Sequence, residues 1–222
     1  MSEHAAHHHE PGKDVVYGQY ETIEQQQESY IVGMWTFLVT EIMFFGGLFL
    51  VYTLYRWKYS ETWHAMSESL HFELGGINTA VLLLSSFFMA MAVQQAQQRK
   101  TKIQLRYLWG TVICAFGFLG IKYVEYSEKI SHHLFPNWSY EGLPGVDFGS
   151  SRLFMSLYFA MTGLHGVHVL VGIIVILTLI IMTMRKAPSI TDYIPTEMIG
   201  LYWHFVDLVW VFLYPLFYLI PK

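Results

Sequence analysis

The stretch FLVTEIMFFGGLFLVYTLY, residues 37–55, decides the class of this protein. Its side chains are mostly apolar, and Glu41 is its one acidic residue. About 20 such residues, at about 1.5 Å of rise each, cross the roughly 30 Å hydrocarbon core of a bilayer as a helix. A carboxyl group at that depth is costly, so it usually faces a protein interior or a water-filled path. The stretch therefore predicts a transmembrane helix and makes Glu41 a candidate functional residue.

The composition of the whole chain agrees with a membrane protein. Of its 222 residues, 54% are hydrophobic and 14% are charged, whereas soluble domains carry roughly 25% charged residues. The single cysteine, Cys114, excludes a disulfide framework and a thiolate cluster for zinc or iron–sulfur. The net charge of −4 is mild and argues against nucleic acid as a partner.

Five apolar segments have the length of a membrane span. Each must be helical, because an open strand would leave backbone groups unpaired in lipid. We therefore predict an all-α fold, with one bundle of five transmembrane helices over residues 31–222 and a flexible polar tail over residues 1–30. The predicted spans are residues 31–52, 74–96, 105–126, 153–184 and 198–220.

Basic residues between the predicted spans indicate the orientation of the chain. The densest cluster is the loop QQRKTK, residues 97–102, between the second and third spans. Because short cytoplasmic loops carry an excess of Lys and Arg, this loop and the N-terminus are expected on the cytoplasmic side. Five spans then leave the C-terminus outside.

The fourth predicted span contains MTGLHGVHVLVG, residues 161–172. His165 and His168 are three residues apart, so they share one broad face of a helix. Gly163, Gly166 and Gly172 are small enough to let a neighbouring helix approach closely. These features predict a tightly packed helix that carries polar groups.

The fifth predicted span adds a further pair of polar residues. His204 and Asp207 are also three apart and can pair on one helix face. His165 and His204 lie at similar depths, which would permit a haem or copper site across two helices. It would equally permit a network of hydrogen bonds between helices. Because glycine beside the histidines favours tight packing, we expect His165, His168, His204 and Asp207 to form a polar helix-packing network without a metal.

A further charged pair stands near the outer end of the third predicted span. In LGIKYVEYSEK, residues 119–129, Lys122 and Glu125 are three residues apart. We expect them to form a partly buried ion pair, with the lysine side chain extending to the membrane interface.

Five sequence blocks together resemble subunit III of the haem–copper respiratory oxidases, over residues 33–218. TEIMFFGGLF is similar to the helix that bears the family's membrane-embedded acid, and Glu41 occupies that position. The other blocks are LGGINTAVLLLSS (74–86), YVEYSE (123–128), FAMTGLHGVHVLVG (159–172) and YWHFVDLVWVFLY (202–214).

The resemblance implies a non-catalytic subunit of a proton-pumping terminal oxidase in the bacterial plasma membrane. Haem and copper would be held by partner subunits and not by this chain. Oxygen reduction would occur in subunit I, and electrons would arrive through subunit II or from quinol. Subunit III would pack directly against subunit I, support assembly, and sustain proton uptake by subunit I with the help of Glu41.

The long form of this family has seven spans, and this chain matches the last five. The missing pair forms one wall of a lipid-holding cleft, so a neighbouring subunit would have to supply that wall if phospholipid binds here. Arg185, after the fourth span, is the candidate for a lipid head group. The Glu41 block and the fifth span are slightly closer to cytochrome c oxidases, while five spans suit quinol oxidases equally well.

Proteins of other classes would use the same residues differently. A small proton channel or transporter would use Glu41, His165 and His204 as a relay. A membrane cytochrome b would use the histidines as haem ligands. We find no inverted repeat of the kind that many transporters show.

Overall fold

The computed structural model of the chain describes residues 19–137, 140–185 and 193–219. In these ranges the chain forms six α-helices and no strand, and five of the helices are long and apolar enough to cross a membrane. The predicted all-α bundle of five spans is confirmed. The helices are α1 (Ile23–Lys58), α2 (Ser60–Glu68), α3 (Phe72–Gln97), α4 (Thr101–Ser131), α5 (Phe148–Met184) and α6 (Ile194–Tyr218).

Helix α1 is longer than the span predicted from the sequence. It begins after Thr22, whose hydroxyl accepts a hydrogen bond from the Gln25 amide, as an N-cap residue does. Residues 23–30, which we expected in the polar tail, therefore belong to the helix, while residues 1–18 of that tail lie outside the described part. At about 1.5 Å per residue the helix is about 54 Å long, so its ends extend beyond the hydrocarbon core.

The short helix α2 was not predicted, because its nine residues fall below the length of a span. It follows α1 directly and buries Trp63 and Met66. The rings of Tyr55, Tyr59 and Trp63 are stacked across the junction, with successive centroids 6.3 Å apart. Aromatic burial therefore holds this short helix against the bundle.

Helices α3 and α4 form an antiparallel hairpin, and α6 packs against both α3 and α5. The hairpin turns at Arg99, which has a left-handed φ of 56°, and its amide donates to the Ala96 carbonyl at 2.9 Å. Helix α1 lies at the edge of the bundle, and most of its outward-facing residues are exposed. Its buried residues are few: Gln26, Leu38, Phe45 and Tyr52.

The last turn of α6 is anchored by side chains from α1 and α2. The Tyr52 hydroxyl donates to the Leu216 carbonyl, and the Ser67 hydroxyl donates to the Phe217 carbonyl at 2.8 Å. Carbonyls in the last turn of a helix lack partners within that helix, so these bonds satisfy two of them and fix the end of α6 to α1 and α2.

Only one of the three glycines in the fourth predicted span is packed tightly against another helix. A Cβ at Gly172 would lie 2.7 Å from the Trp203 ring, whereas a Cβ at Gly166 would have nothing within 4 Å. At Gly163 the nearest atom would be the Tyr126 hydroxyl, at 3.8 Å. The expectation of close helix approach therefore holds at Gly172 and does not hold at Gly166, because α5 turns its Gly166 side away from its neighbours in this chain.

Candidate functional site

The Glu41 carboxyl contacts His168 across the interface of α1 and α5. Glu41 Oε2 lies 3.0 Å from His168 Nε2, and both side chains are roughly four-fifths buried. We expected His168 to join His165 in a network with helix α6. The two histidines leave α5 about 60° apart, and this difference is enough to direct them to different neighbouring helices.

The second ring nitrogen of His168 determines how this contact is made. His168 Nδ1 lies 2.9 Å from the Leu164 carbonyl, and a carbonyl only accepts, so Nδ1 carries a proton. A hydrogen bond to Glu41 then needs one more proton between Nε2 and Oε2. Either the carboxylic acid donates to Nε2, or an imidazolium donates to the carboxylate. In both forms one proton is held between α1 and α5.

The Glu41–His168 pair lines a cleft of about 390 Å³ between α1, α5 and α6. The Tyr202 hydroxyl, also in the lining, donates to the His168 carbonyl at 3.0 Å. The remaining lining residues are apolar: Met34, Phe37, Val167, Val171, Val175 and Ile199. The cleft thus offers a hydrocarbon-like space with one protonatable pair.

A second polar cluster lies inside the bundle between α4, α5 and α6. Lys122 Nζ donates to Glu125 Oε2 at 2.8 Å and to the hydroxyls of Tyr158 and Tyr218 at 3.2 and 3.0 Å. Both tyrosines in turn donate to Glu125 Oε1, at 2.7 and 2.5 Å. The ammonium uses all three of its donors, and both carboxylate oxygens are occupied. We call these four residues the lysine cluster.

The lysine cluster is more deeply buried than the ion pair that we expected, which was to be partly buried with its lysine extending to the membrane interface. Lys122 is 6% exposed and Glu125 is fully buried, and Lys122 Nζ lies 5.0 Å from the centre of the Trp210 ring. The lysine does not extend to the interface because two tyrosine hydroxyls and an aromatic face already solvate its charge inside the bundle.

His204 and Asp207 do not pair with each other in the structure. His204 Nδ1 lies 2.7 Å from the Ser86 hydroxyl of α3. Ser86 lies beside Asp207 as well, but neither Asp207 oxygen makes a well-directed hydrogen bond among the described residues. The neighbouring helix α3 supplies the partner of His204, which the spacing within α6 did not reveal.

His165 also stands apart from the network that we expected. It is fully buried, and neither ring nitrogen has a partner in the described ranges. Its ring packs against Phe118 and Trp210, with centroids 5.5 and 5.2 Å away. Among the described residues, no hydrogen bond joins any two of His165, His168, His204 and Asp207, so they do not form the network that we expected. Across the part of the chain that the structure describes, no three His, Cys, Asp or Glu residues are grouped as metal ligands would be.

The remaining predicted residue, Arg185, ends α5 on the side of the α3–α4 turn and is exposed. Sequence reasoning missed the side chains that complete the polar sites, which are Ser86, Tyr158, Tyr202 and Tyr218. Ser86 and Tyr202 stand at the edges of two of the family blocks, but no spacing within one helix shows which side chain any of the four contacts. Only the rotation of each helix about its axis brings them to their partners.

Five helices that can span a membrane, joined by buried polar contacts between them, define a multi-pass membrane protein. The family described as Cytochrome c oxidase subunit III matches residues 13–221. The chain belongs to that family and is a subunit III of a haem–copper terminal oxidase complex, associated with other oxidase subunits.

Relatives of the chain carry the names of oxidases with different electron donors. Cytochrome c oxidase subunit 3 of Thermostichus vulcanus is 28% identical over 194 residues, which cover 86% of this chain and 88% of the relative. "Probable quinol oxidase subunit 3" of Staphylococcus saprophyticus is 29% identical over 189 residues, 85% of this chain and 88% of the relative. Heme-copper oxidase subunit I+III of Aeropyrum pernix is 27% identical over 196 residues, 84% of this chain and 22% of that longer protein.

Proposed function

We propose that this chain is a non-catalytic subunit III that packs directly against subunit I and keeps it working through many turnovers. The haem and copper centres belong to partner subunits, and this chain binds neither. A direct contact is supported by the relative from Aeropyrum pernix, whose name places subunits I and III in one chain. We further propose that the complex lies in the bacterial plasma membrane, with the N-terminus of this chain in the cytoplasm and the C-terminus outside.

The observation that carries the proposal is the Glu41–His168 contact. The contact lies near the middle of α1, so it holds this part of the helix against α5. It also keeps one proton in the lining of an apolar cleft. Sustained proton uptake by subunit I then depends on α1 remaining in place, and Glu41 acts mainly by packing.

A relay through this chain is less well supported than packing. Glu41 contacts His168, but His165 has no partner among the described residues and His204 is bonded to Ser86. A proton channel would need these groups to be joined in sequence. We therefore favour the role of an oxidase subunit over that of a separate channel or transporter.

We also propose that a phospholipid binds in the cleft. The lining residue Val175 lies ten positions before Arg185 on α5, a distance of about 15 Å along the helix. An acyl chain could fill the apolar space while Arg185 binds the phosphate at the cytoplasmic surface. A neighbouring subunit would cover the outer side of the cleft.

The electron donor is proposed to be cytochrome c, with quinol as the alternative. Relatives of similar identity and coverage carry both names. Purification of the native complex with its full set of subunits decides between them. Oxidation of reduced cytochrome c without oxidation of quinol supports the first, and the reverse result supports the second.

The role of Glu41 is tested in the whole complex, reconstituted in vesicles. Glu41→Gln keeps the shape of the side chain and a donor for His168 Nε2, but it cannot titrate. Under the packing role, the first turnovers and the number of protons pumped per electron stay at the wild-type level. Glu41→Leu removes the bond and shortens the working life of the enzyme, while the exposed neighbour Met43→Leu has no effect.

Two outcomes contradict this assignment. A lower proton yield of Glu41→Gln from the first turnover means that Glu41 relays protons. An immediate loss of oxygen reduction with assembly intact means that the residue is essential to catalysis in the partner subunit.

A further inference from the structure

Several buried polar side chains make no hydrogen bond among the described residues, and three of them, on α3, α5 and α6, leave two atoms unpaired each. These are Asn78 of α3, His165 of α5 and Asp207 of α6. Asn78 and His165 are fully buried, and Asp207 is 3% exposed. Together they leave six side-chain nitrogen and oxygen atoms unpaired. Buried polar groups of native proteins nearly always have partners, so these six atoms indicate a bound ligand.

One residue of α6, Trp210, contacts both of the other helices that carry these side chains. Its ring centroid lies 5.2 Å from that of His165. Its indole nitrogen donates to the Thr79 hydroxyl at 3.1 Å, and Thr79 adjoins Asn78 in the chain. Asp207 precedes Trp210 by three residues, so it lies on the same side of α6 about one turn away. Trp210 therefore connects the three helices that carry the unpaired groups, and His165 contacts its ring directly.

The types of the unpaired atoms identify the chemistry of the ligand. The Asn78 amide has donor hydrogens on Nδ2 and an acceptor at Oδ1, and a neutral His165 ring has one donor and one acceptor. The Asp207 carboxyl adds acceptors. A metal cation would satisfy the acceptors and leave the donors unpaired. A ligand that donates and accepts in one small volume is water, which typically makes about three hydrogen bonds when buried.

We propose that Asn78, His165 and Asp207 bind ordered water around Trp210, as an internal hydration site of the bundle. Six unpaired atoms and about three bonds per molecule correspond to about two waters. The lysine cluster, with all its donors and carboxylate oxygens already paired, provides no such site. The proposal does not depend on the role of Glu41 or on the electron donor.

Radiolytic labelling of the intact complex in water enriched in oxygen-18 tests the proposal. X-rays generate hydroxyl radicals from ordered water, and a side chain next to that water is oxidised even when it is buried. Oxidation of Trp210 is expected to be several-fold above that of Met89 and Met155, which are fully buried. Because methionine is the more reactive side chain, this comparison is a stringent one. Trp210 oxidation at or below the level of these methionines overturns the proposal.

Two variants locate the site. His165→Phe keeps an aromatic ring and removes both nitrogen atoms, so Trp210 oxidation should fall several-fold. Thr111→Val is the matched control, because the Thr111 hydroxyl donates to the Tyr107 carbonyl of its own helix at 3.1 Å, and it should change nothing. Unchanged Trp210 oxidation in His165→Phe rules out His165 as a ligand.

If the His165→Phe complex does not assemble, a high-resolution density map of the wild-type complex tests the site instead. Density within hydrogen-bonding distance of both His165 and Asp207 supports the site. Direct bonds among the three side chains, with no density between them, overturn it.

Discussion

The lysine cluster and the Glu41–His168 pair place ionisable groups inside the same bundle in opposite ways. In the cluster, Lys122 and Glu125 are enclosed by Tyr158 and Tyr218, and every ammonium donor and both carboxylate oxygens have partners. The pair at Glu41 is one contact in the lining of a cleft, with its side chains still about one-fifth exposed. The difference teaches that the number of partners decides the role of a buried ionisable group. A group whose hydrogen bonds are all made stabilises the packing of helices, whereas a partly exposed pair can still exchange a proton with its surroundings.

The largest effect is expected when the lysine cluster loses one charge. Lys122→Met leaves the Glu125 carboxylate buried without its cation, and breaking a buried ion pair costs about 3–5 kcal/mol. We expect a large drop in the melting temperature of the subunit within the complex and a loss of subunit III during purification. The same measurement on Glu41→Gln should show little change.

A double variant provides the control for this prediction. Lys122→Met with Glu125→Leu removes both charges and should recover much of the lost stability, because apolar side chains of similar volume often replace a buried pair well. If the double variant is as unstable as Lys122→Met, the cluster contributes through shape and not through charge.

The next effect concerns two glycines of α5 that differ in how closely other helices approach them. Gly172→Ala places a methyl group 2.7 Å from the buried Trp203 ring, and overpacking of this kind costs about 1–3 kcal/mol. Gly166→Ala meets nothing within 4 Å in this chain and adds the better helix former. Thermal unfolding should therefore separate the two, and equal destabilisation would mean that Gly166 faces a packed surface of a partner subunit.

A smaller effect is expected at the cleft. Glu41→Leu removes the partner of His168, but water can reach the partly exposed ring, so the cost should be about 1 kcal/mol. Hydrogen exchange of the α1 backbone should become faster around residue 41, whereas α4 beside the lysine cluster stays protected. Equal exchange of α1 in Glu41→Leu and the wild type would show that apolar contacts alone hold this helix.

The smallest effect lies outside the membrane, at the N-cap of α5. The backbone amide and hydroxyl of Ser150 donate to Asp147, and these bonds hold the pKa of its carboxyl below the usual 3.8. A depressed folded pKa means that the stabilisation is complete above pH 3.8 and is lost as the pH falls through the lower folded value.

Asp147→Ala should therefore lower the melting temperature slightly at neutral pH, and the difference from the wild type should shrink at strongly acidic pH. Asp147→Asn keeps a capping oxygen and should remove the pH dependence while preserving most of the stability. A difference between Asp147→Ala and the wild type that does not change with pH would mean that the ionised form contributes nothing.

Local properties of the sequence were enough to predict the class of fold. Hydrophobicity and the length of a span are summed along one segment, and they indicated five helices and the depth of Glu41. The spacing of Lys122 and Glu125 within one helix likewise placed the two side chains together. The match of whole blocks identified the family, because those blocks keep their order along the chain. Helix α2 was missed because it does not cross the membrane.

Tertiary structure decided which polar groups meet. His168 is 127 residues from Glu41 in the chain, and Tyr218 is 93 residues from Glu125. The expected pair of His204 and Asp207 gave way to a bond between His204 and Ser86 on another helix. The helical period of 3.6 residues shows which residues share one face of a helix. It does not show which neighbouring helix that face contacts. That choice depends on the rotation and register of all the packed helices, which is a property of the assembled bundle and of no single segment.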